Sequence, residues 1–142
     1  MSKSSKVESY QGKKVFIGID VHKRTYAIAS FMDGGVIKRW TTLTSPEQLV
    51  VQLKAFYPQA DICTAYEAGF SGFVLHRALK NAGIENLVVN PGSIETASHN
   101  RVKTDKRDAK KIASLLAVGR LRGIRVPTEH IEQKRLLTRT RE

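Results

Sequence analysis

The stretch that decides the fold is Val15-Phe16-Ile17-Gly18-Ile19, closed by Asp20. Residues 14–19 are almost wholly apolar and rich in β-branched side chains. That composition without polar alternation predicts a central strand buried on both faces. An acid at the end of such a strand is a candidate functional group. A second strand-like run, Ile62-Cys63-Thr64-Ala65-Tyr66, also ends in an acid, Glu67. Two more acids, Asp105 and Asp108, stand three apart in Lys103-Thr104-Asp105-Lys106-Arg107-Asp108-Ala109. Carboxylates at strand ends and on one helix face are a means of holding Mg²⁺ for phosphate chemistry.

Working outward, residues 1–12 read as a loose, disordered tail. Thr25 to Phe31 reads as a second strand, Asp33-Gly34-Gly35 as a turn, and Val36 to Leu43 as a third strand. The short connections imply an antiparallel meander. Ser45 as N-cap, Pro46 at the first helical position and Gln48 as the partner in a capping box start a helix. Leu49, Leu53 and Phe56 give it one buried stripe, and Pro58 stops it. Asp61 to Tyr66 follows as a strand, Phe73 to Asn81 as a helix with Gly83 at its end, and Ile84 to Val89 as a fifth strand. Residues 91–104 read as a short helix or an ordered loop. Asp105 to Val118 reads as a helix closed by Gly119, and Pro127 separates a last basic helix over about 129–142. The fold class is therefore α/β: a mixed five-stranded sheet, three antiparallel strands then αβ units, with helices on both faces. Ligands in such sheets gather at the carboxyl ends of strands, where Asp20 and Glu67 stand.

Composition narrows the function. The chain has 142 residues, 41% of them hydrophobic, enough for one domain with its own core. Its formal net charge is +11. Residues 101–142 hold 13 Lys or Arg against 5 Asp or Glu, and residues 1–100 hold 11 against 8. A basic block of that density fits a polyanion partner, nucleic acid being the usual one, or simply a solvated helix face. The single cysteine, Cys63, leaves no disulfide framework or cysteine zinc site and fits a reducing cytosol. The polar start is not a signal peptide, and no run approaches the roughly 18 apolar residues of a membrane span. The closing run Lys134-Arg135-Leu136-Leu137-Thr138-Arg139-Thr140-Arg141-Glu142 has no cap or breaker and reads as part of a longer protein.

On a helix from Asp105, the two acids fall on the side of Ala109, Ile112, Leu115 and Leu116, while Lys106, Arg107, Lys110 and Lys111 fall mainly on the other. Burying two unpaired carboxylates costs several kcal/mol, which a shared cation would offset. Favourable placement in the first helical turn accounts for Asp105 and partly for Asp108, but not for Asp20 and Glu67. Lys23 is a candidate phosphate contact and His22 a candidate neighbour of the metal ligands; both also suit a polar loop. Lys103, Lys106, Arg107, Lys110 and Lys111 crowd the rim as candidate phosphate contacts. Gly69 and Gly72 allow close backbone approach to nucleic acid or serve a plain strand-to-helix turn. His76, His99 and His130 lack metal-ligand spacing. Tyr66 and Trp40 read as core, the latter also as a cover on the sheet edge.

The segments Gly18-Ile19-Asp20-Val21-His22-Lys23, Tyr66-Glu67-Ala68-Gly69 and Lys103-Thr104-Asp105-Lys106-Arg107-Asp108-Ala109 resemble the three signatures of DEDD transposases, insertion-sequence recombinases related to the Piv invertase. The resemblance covers about residues 14–142. It implies an RNase H-like, RuvC-like domain over 13–126, followed at 127–142 by the start of a basic helical linker to a further domain. It implies that Asp20, Glu67, Asp105 and Asp108 are the catalytic tetrad and bind Mg²⁺ or Mn²⁺. The implied activity is metal-dependent phosphoryl transfer on DNA during transposition, with a serine nucleophile from the further domain. Implied partners are DNA, a structured guide RNA in some members, and other copies of the protein, in the bacterial cytoplasm at the nucleoid. Three rivals stay open on the residues alone. They are a RuvC-like junction nuclease, half of an actin-like ATPase or sugar kinase, and a non-catalytic nucleic-acid-binding module.

Overall fold

The structure is a computed structural model that describes residues 9–69, 72–90 and 109–126. Its strands are β1 (Lys14–Val21), β2 (Thr25–Met32), β3 (Gly35–Leu43), β4 (Asp61–Glu67) and β5 (Glu85–Val89). Its helices are α1 (Pro46–Phe56), α2 (Val74–Asn81) and α3 (Ala109–Ala117). The sheet order is β3-β2-β1-β4-β5. β1, β2 and β3 are antiparallel neighbours, whereas β4 runs parallel to β1 and β5 parallel to β4. The mixed five-stranded sheet read from the sequence is therefore the sheet observed.

Each strand divides its side chains between two unlike layers. One face of β1 carries Val15, Ile17 and Ile19, which join Ile28, Ile62, Tyr66 and Val88 under Leu49, Leu53, Leu75 and Leu79 of α1 and α2. Alternation sends Phe16, Gly18 and Asp20 to the opposite face. There Ile112, Leu115 and Leu116 of α3 pack with Ala65, Val89, Phe16, Cys63 and Leu87. β1 is thus buried on both sides, as its unbroken apolar run requires.

Local signals set the helix ends. Ser45 Oγ accepts the Gln48 N–H at 3.2 Å, one half of the expected capping box. The Ser45 N–H itself goes to the Leu43 carbonyl, at 2.7 Å. Leu49 and Leu53 are buried, but Phe56 is only partly so and instead meets Trp40 edge-on, with centroids 4.9 Å apart. α2 begins one residue later than the apolar run suggests, because Phe73 is its cap residue. Gly83 after α2 and Gly119 after α3 both have positive φ, the backbone state a helix-terminating glycine supplies. The predicted start of the last sheet-packed helix at Asp105, the segment 91–104 and the helix after Pro127 lie outside the described residues.

α3 touches the sheet at Gly18. A Cβ built there would stand 2.1 Å from the Ala109 carbonyl oxygen and 2.5 Å from the Ala113 nitrogen. On β2 the residue opposite Gly18 is Ala29, also small and fully buried. Two minimal side chains therefore let helix backbone rest on strand backbone. After α3 the chain returns along the β5 edge, where Gly123 bridges Val89 and the Ile124 N–H donates to the Val88 carbonyl at 2.8 Å. That return covers an otherwise open parallel edge.

Gly18→Ala is expected to cost about 2 kcal/mol or more, because the clash is with backbone that cannot rotate away. Gly35→Ala, with nothing within 4 Å, is expected to stay within about 0.5 kcal/mol. Urea unfolding of both variants checks the contrast; equal stabilities would mean that α3 does not sit on Gly18.

Candidate functional site

The β1–β4 register pairs Gly18 with Ala65 and Ile19 with Tyr66. The next rung sets Asp20 beside Glu67, with backbones about 4.8 Å apart, the spacing of neighbouring strands. Both acids close their strands at the carboxyl end, and alternation puts both on the α3 face with Gly18, Ala65 and Cys63. The two carboxylates were read from separate stretches of sequence; the parallel pairing makes them neighbours. Both are partly exposed, so they face the surface rather than the core.

Ala109, whose carbonyl lies against Gly18, directly follows Asp108 in the chain. α3 therefore begins, at Ala109, against the residue that stands two before Asp20 on β1. Asp105 and Asp108 themselves lie outside the described residues, as do Lys103, Lys106, Arg107, His99 and His130. Among the described residues, no group of three or more His, Cys, Asp or Glu side chains is placed to hold a metal ion. Asp20 and Glu67 supply two hard oxygen donors suited to Mg²⁺ or Mn²⁺, and a full shell needs more than these two.

His22, read from the sequence as a candidate neighbour of the acids or a polar loop residue, stands directly beside Asp20. Its Nε2 stands 3.2 Å from Asp20 Oδ2, with the His22 side chain 55% and the Asp20 side chain 30% exposed. The signal was the i, i+2 spacing, which puts both residues on one face of β1 extended into its turn. Lys23 follows in that turn, exposed. Lys110 is exposed and Lys111 partly exposed, on the flank of α3 away from the core. This agrees with the helical face read from the sequence.

The supports of Glu67 are equally local. The Tyr66 hydroxyl donates to the Gly72 carbonyl at 3.1 Å and accepts the His76 N–H at 3.2 Å. Burial pushes this phenol up to about 12. It is a core strut rather than a stacking platform. The Ala68 N–H donates to the Val89 carbonyl at 2.8 Å, so the chain leaving Glu67 stays attached to β5. Gly72 has φ +65°, which serves the turn into α2, whereas Gly69 needs no positive φ. Trp40 donates from Nε1 to Gln52 Oε1 at 2.9 Å and covers the sheet edge. His76 lies in the other layer, where Asn86 Nδ2 donates to its Nδ1 at 2.8 Å. Cys63 shares the α3 face; burial raises its thiol above the ordinary range, so it is not an activated nucleophile.

A mixed sheet in this order, with helices on both faces, is the architecture of the RNase H-like fold, and solved structures share it. Thermus thermophilus RuvC, solved with a Holliday junction substrate, superposes with TM-score 0.52 at 13% identity, over 78% of this chain and 99% of RuvC. RuvC solved in a second structure gives TM-score 0.52 at 15% identity. The fold is RuvC-like. At the level of sequence, the family model of DEDD transposases of the IS110 type matches residues 17–142. The chain belongs to this family of insertion-sequence transposases. It is 34% identical over 137 residues to the transposase for insertion sequence element IS1533 of Leptospira borgpetersenii. It is 36% identical over 135 residues to the Sinorhizobium fredii protein "Putative transposase y4qE". It spans 39% and 34% of the lengths of these two relatives, which cover 92% and 91% of it. Among the described residues, no helix is long and apolar enough to cross a membrane.

The His76 environment makes stability depend on pH. Desolvation first, then Lys80 and Arg77, lower its pKa below the ordinary 6.5. Above that value the ring is neutral in the folded and unfolded chains alike, and its contribution is fully present. As pH falls below it, the unfolded chain takes up a proton first, and stability is lost until folded His76 titrates in turn. The stability of wild type relative to His76→Gln is therefore expected to decline between about pH 7 and pH 5. Urea unfolding across that range checks it; a constant difference would contradict the assigned environment.

Proposed function

We propose that this chain is the metal-dependent, nuclease-type domain of an insertion-sequence transposase, acting on DNA phosphodiesters. The observation that carries the proposal is the β1–β4 register, whose last pair, Ile19 with Tyr66, directly precedes Asp20 and Glu67 at neighbouring strand ends, on the face where α3 meets Gly18. Asp105 and Asp108 would complete the carboxylate set, since their segment leads directly into that contact. A divalent cation bound there supplies Lewis-acid polarisation of a phosphoryl oxygen.

The chain's own residues then have separable tasks. Asp20 and Glu67 hold negative charge at a fixed spacing because rigid paired strands carry them. His22 stands beside Asp20 Oδ2, at 3.2 Å, and helps fix the orientation of that carboxylate. Lys23, Lys110 and Lys111, with Lys103, Lys106 and Arg107, offer positive charge to the phosphate backbone. Residues 13–126 form the catalytic unit, and 127–142 lead towards the remainder of a longer transposase, where family resemblance puts a serine nucleophile. In this division of labour the chain by itself binds metal and DNA but does not complete strand exchange.

Two acids at neighbouring strand ends repel when no cation lies between them. Functional acids of this kind are held against the interest of stability. Without divalent metal, Glu67→Gln is expected to match or slightly exceed wild type in melting temperature. With added Mn²⁺ or Mg²⁺, wild type gains stability, and Asp20→Asn, Glu67→Gln and Asp105→Asn lose that gain. The measurement is thermal unfolding with and without metal, repeated with a DNA duplex present. A wild type that gains nothing from metal in either condition would refute the metal reading and leave a nucleic-acid-binding module.

A further inference from the structure

We infer that the open strip of sheet between Asp20 and the β3 edge is a lane for one DNA single strand, which passes from the carboxylates across β2 and β3. The inference rests on the proposed DNA reading and deepens it by giving the strand a path. Antiparallel register lays the floor. Asp20 is opposite Ala27, and Ala27 is opposite Thr41. On the next rung the His22 N–H donates to the Thr25 carbonyl at 2.9 Å, and Thr25 is opposite Leu43. Alternation places all these side chains on the α3 face.

This floor is uncovered, in contrast to the rung below it. Ala29, under α3, is fully buried, whereas Ala27, two residues on along the same strand, is partly exposed. Thr41 is exposed, and Leu43 is 64% exposed. The open rungs, from Ala27 to Thr25, span about 7 Å along the strand, and the turn at residues 22–24 continues the strip beyond them. Hydroxyls at Thr25 and Thr41 suit phosphate and sugar oxygens. An exposed leucine at the far end suits a base or sugar face, which only an unpaired strand offers.

Both banks are cationic. On one side the turn carries exposed Lys23 and Arg24, and it is tied to the end of β3 by the Thr44 N–H, which donates to the Arg24 carbonyl at 3.1 Å. On the other side Arg39, opposite Ala29, is exposed on the α3 face of β3. Lys110 joins that bank. Ile112 and Leu115 cluster with Ala65, Leu87 and Val89, so that flank of α3 looks to β4 and β5. At 3.6 residues per turn Lys110 leaves from the opposite flank, above β2 and β3. Asp20 and its neighbour Glu67 on β4 stand together at the lane's inner end, and Glu47 lies on α1 in the other layer. Lys38, next to Arg39, points to that other layer and stacks on Phe56 at 4.6 Å. The charge facing the lane therefore matches a phosphate backbone.

The test uses a labelled single-stranded DNA of about twelve nucleotides and the full chain in EDTA, so that it does not depend on a metal site. Arg24→Gln with Arg39→Gln is compared with Lys38→Gln with Lys54→Gln, which removes the same charge from the other layer. The lane pair is expected to weaken binding about tenfold and to lower the slope of log K against log salt by about 1.4, two single-strand phosphates. The control pair should change binding less than about twofold. Leu43→Ser is expected to weaken binding a few-fold at an unchanged slope, as loss of an apolar contact does. Equal losses in the two pairs, no loss in the lane pair, or no binding by wild type would overturn the lane. So would a duplex that binds more tightly than the single strand and responds to the same pair. Loss of the metal effect with the lane results intact would instead count against the catalytic reading alone.

Discussion

The contact of helix backbone with strand backbone at Gly18 is the constraint on which the rest depends. α3 can lie flat on β1 only where β1 has no side chain and β2 offers Ala29. That contact fixes the height of the helix over the sheet and the rung at which its chain arrives. It also decides where the sheet is covered and where it is open. Below the contact, Ile112, Leu115 and Leu116 make a dry layer with Ala65 and Val89. Above it, the strand ends carry Asp20 and Glu67.

Charge and burial divide the molecule in the same way. The layer under α1 and α2 is built from large apolar side chains, with Ser30, Thr64 and Asn86 as its buried polar residues among those described, each hydrogen-bonded. The α3 layer is thinner and uses alanine and glycine where the helix comes close. It is there that acids, histidine and cations meet solvent. A sheet that must expose reactive groups on one face needs its stability from the other. The deep packing of Ile17, Ile19, Leu49, Leu53 and Leu79 meets that need. Each such side chain contributes about 1.5–3 kcal/mol relative to exposure.

Much of this was written in local sequence. The unbroken run Val15–Ile19 could only be a doubly covered strand, because alternation is missing and the residues are β-branched. Asp33-Gly34-Gly35 marked a hairpin, and Ser45-Pro46 a helix start, because these residues meet backbone demands that few others meet. The acids at the strand ends stood out for the same reason: a carboxylate directly after a buried run has nowhere neutral to go. Phe56 was misjudged as part of a buried stripe, since helical spacing does not reveal that Trp40 comes from β3 to meet it partway.

By itself the sequence determined the described strands and helices, their order and the two unlike faces of β1, and it singled out four acids. Only the tertiary structure decided that Asp20 and Glu67 share a rung, that His22 turns back onto Asp20, and that the sheet lies open from Ala27 to Leu43. The reason is physical. Local propensity acts over a few residues of chain, whereas strand register is set by which apolar faces must be buried together. A shift of one residue would send Asp20 and Glu67 to opposite faces. The sequence carries the acids, and the packing of two hydrophobic layers brings them together.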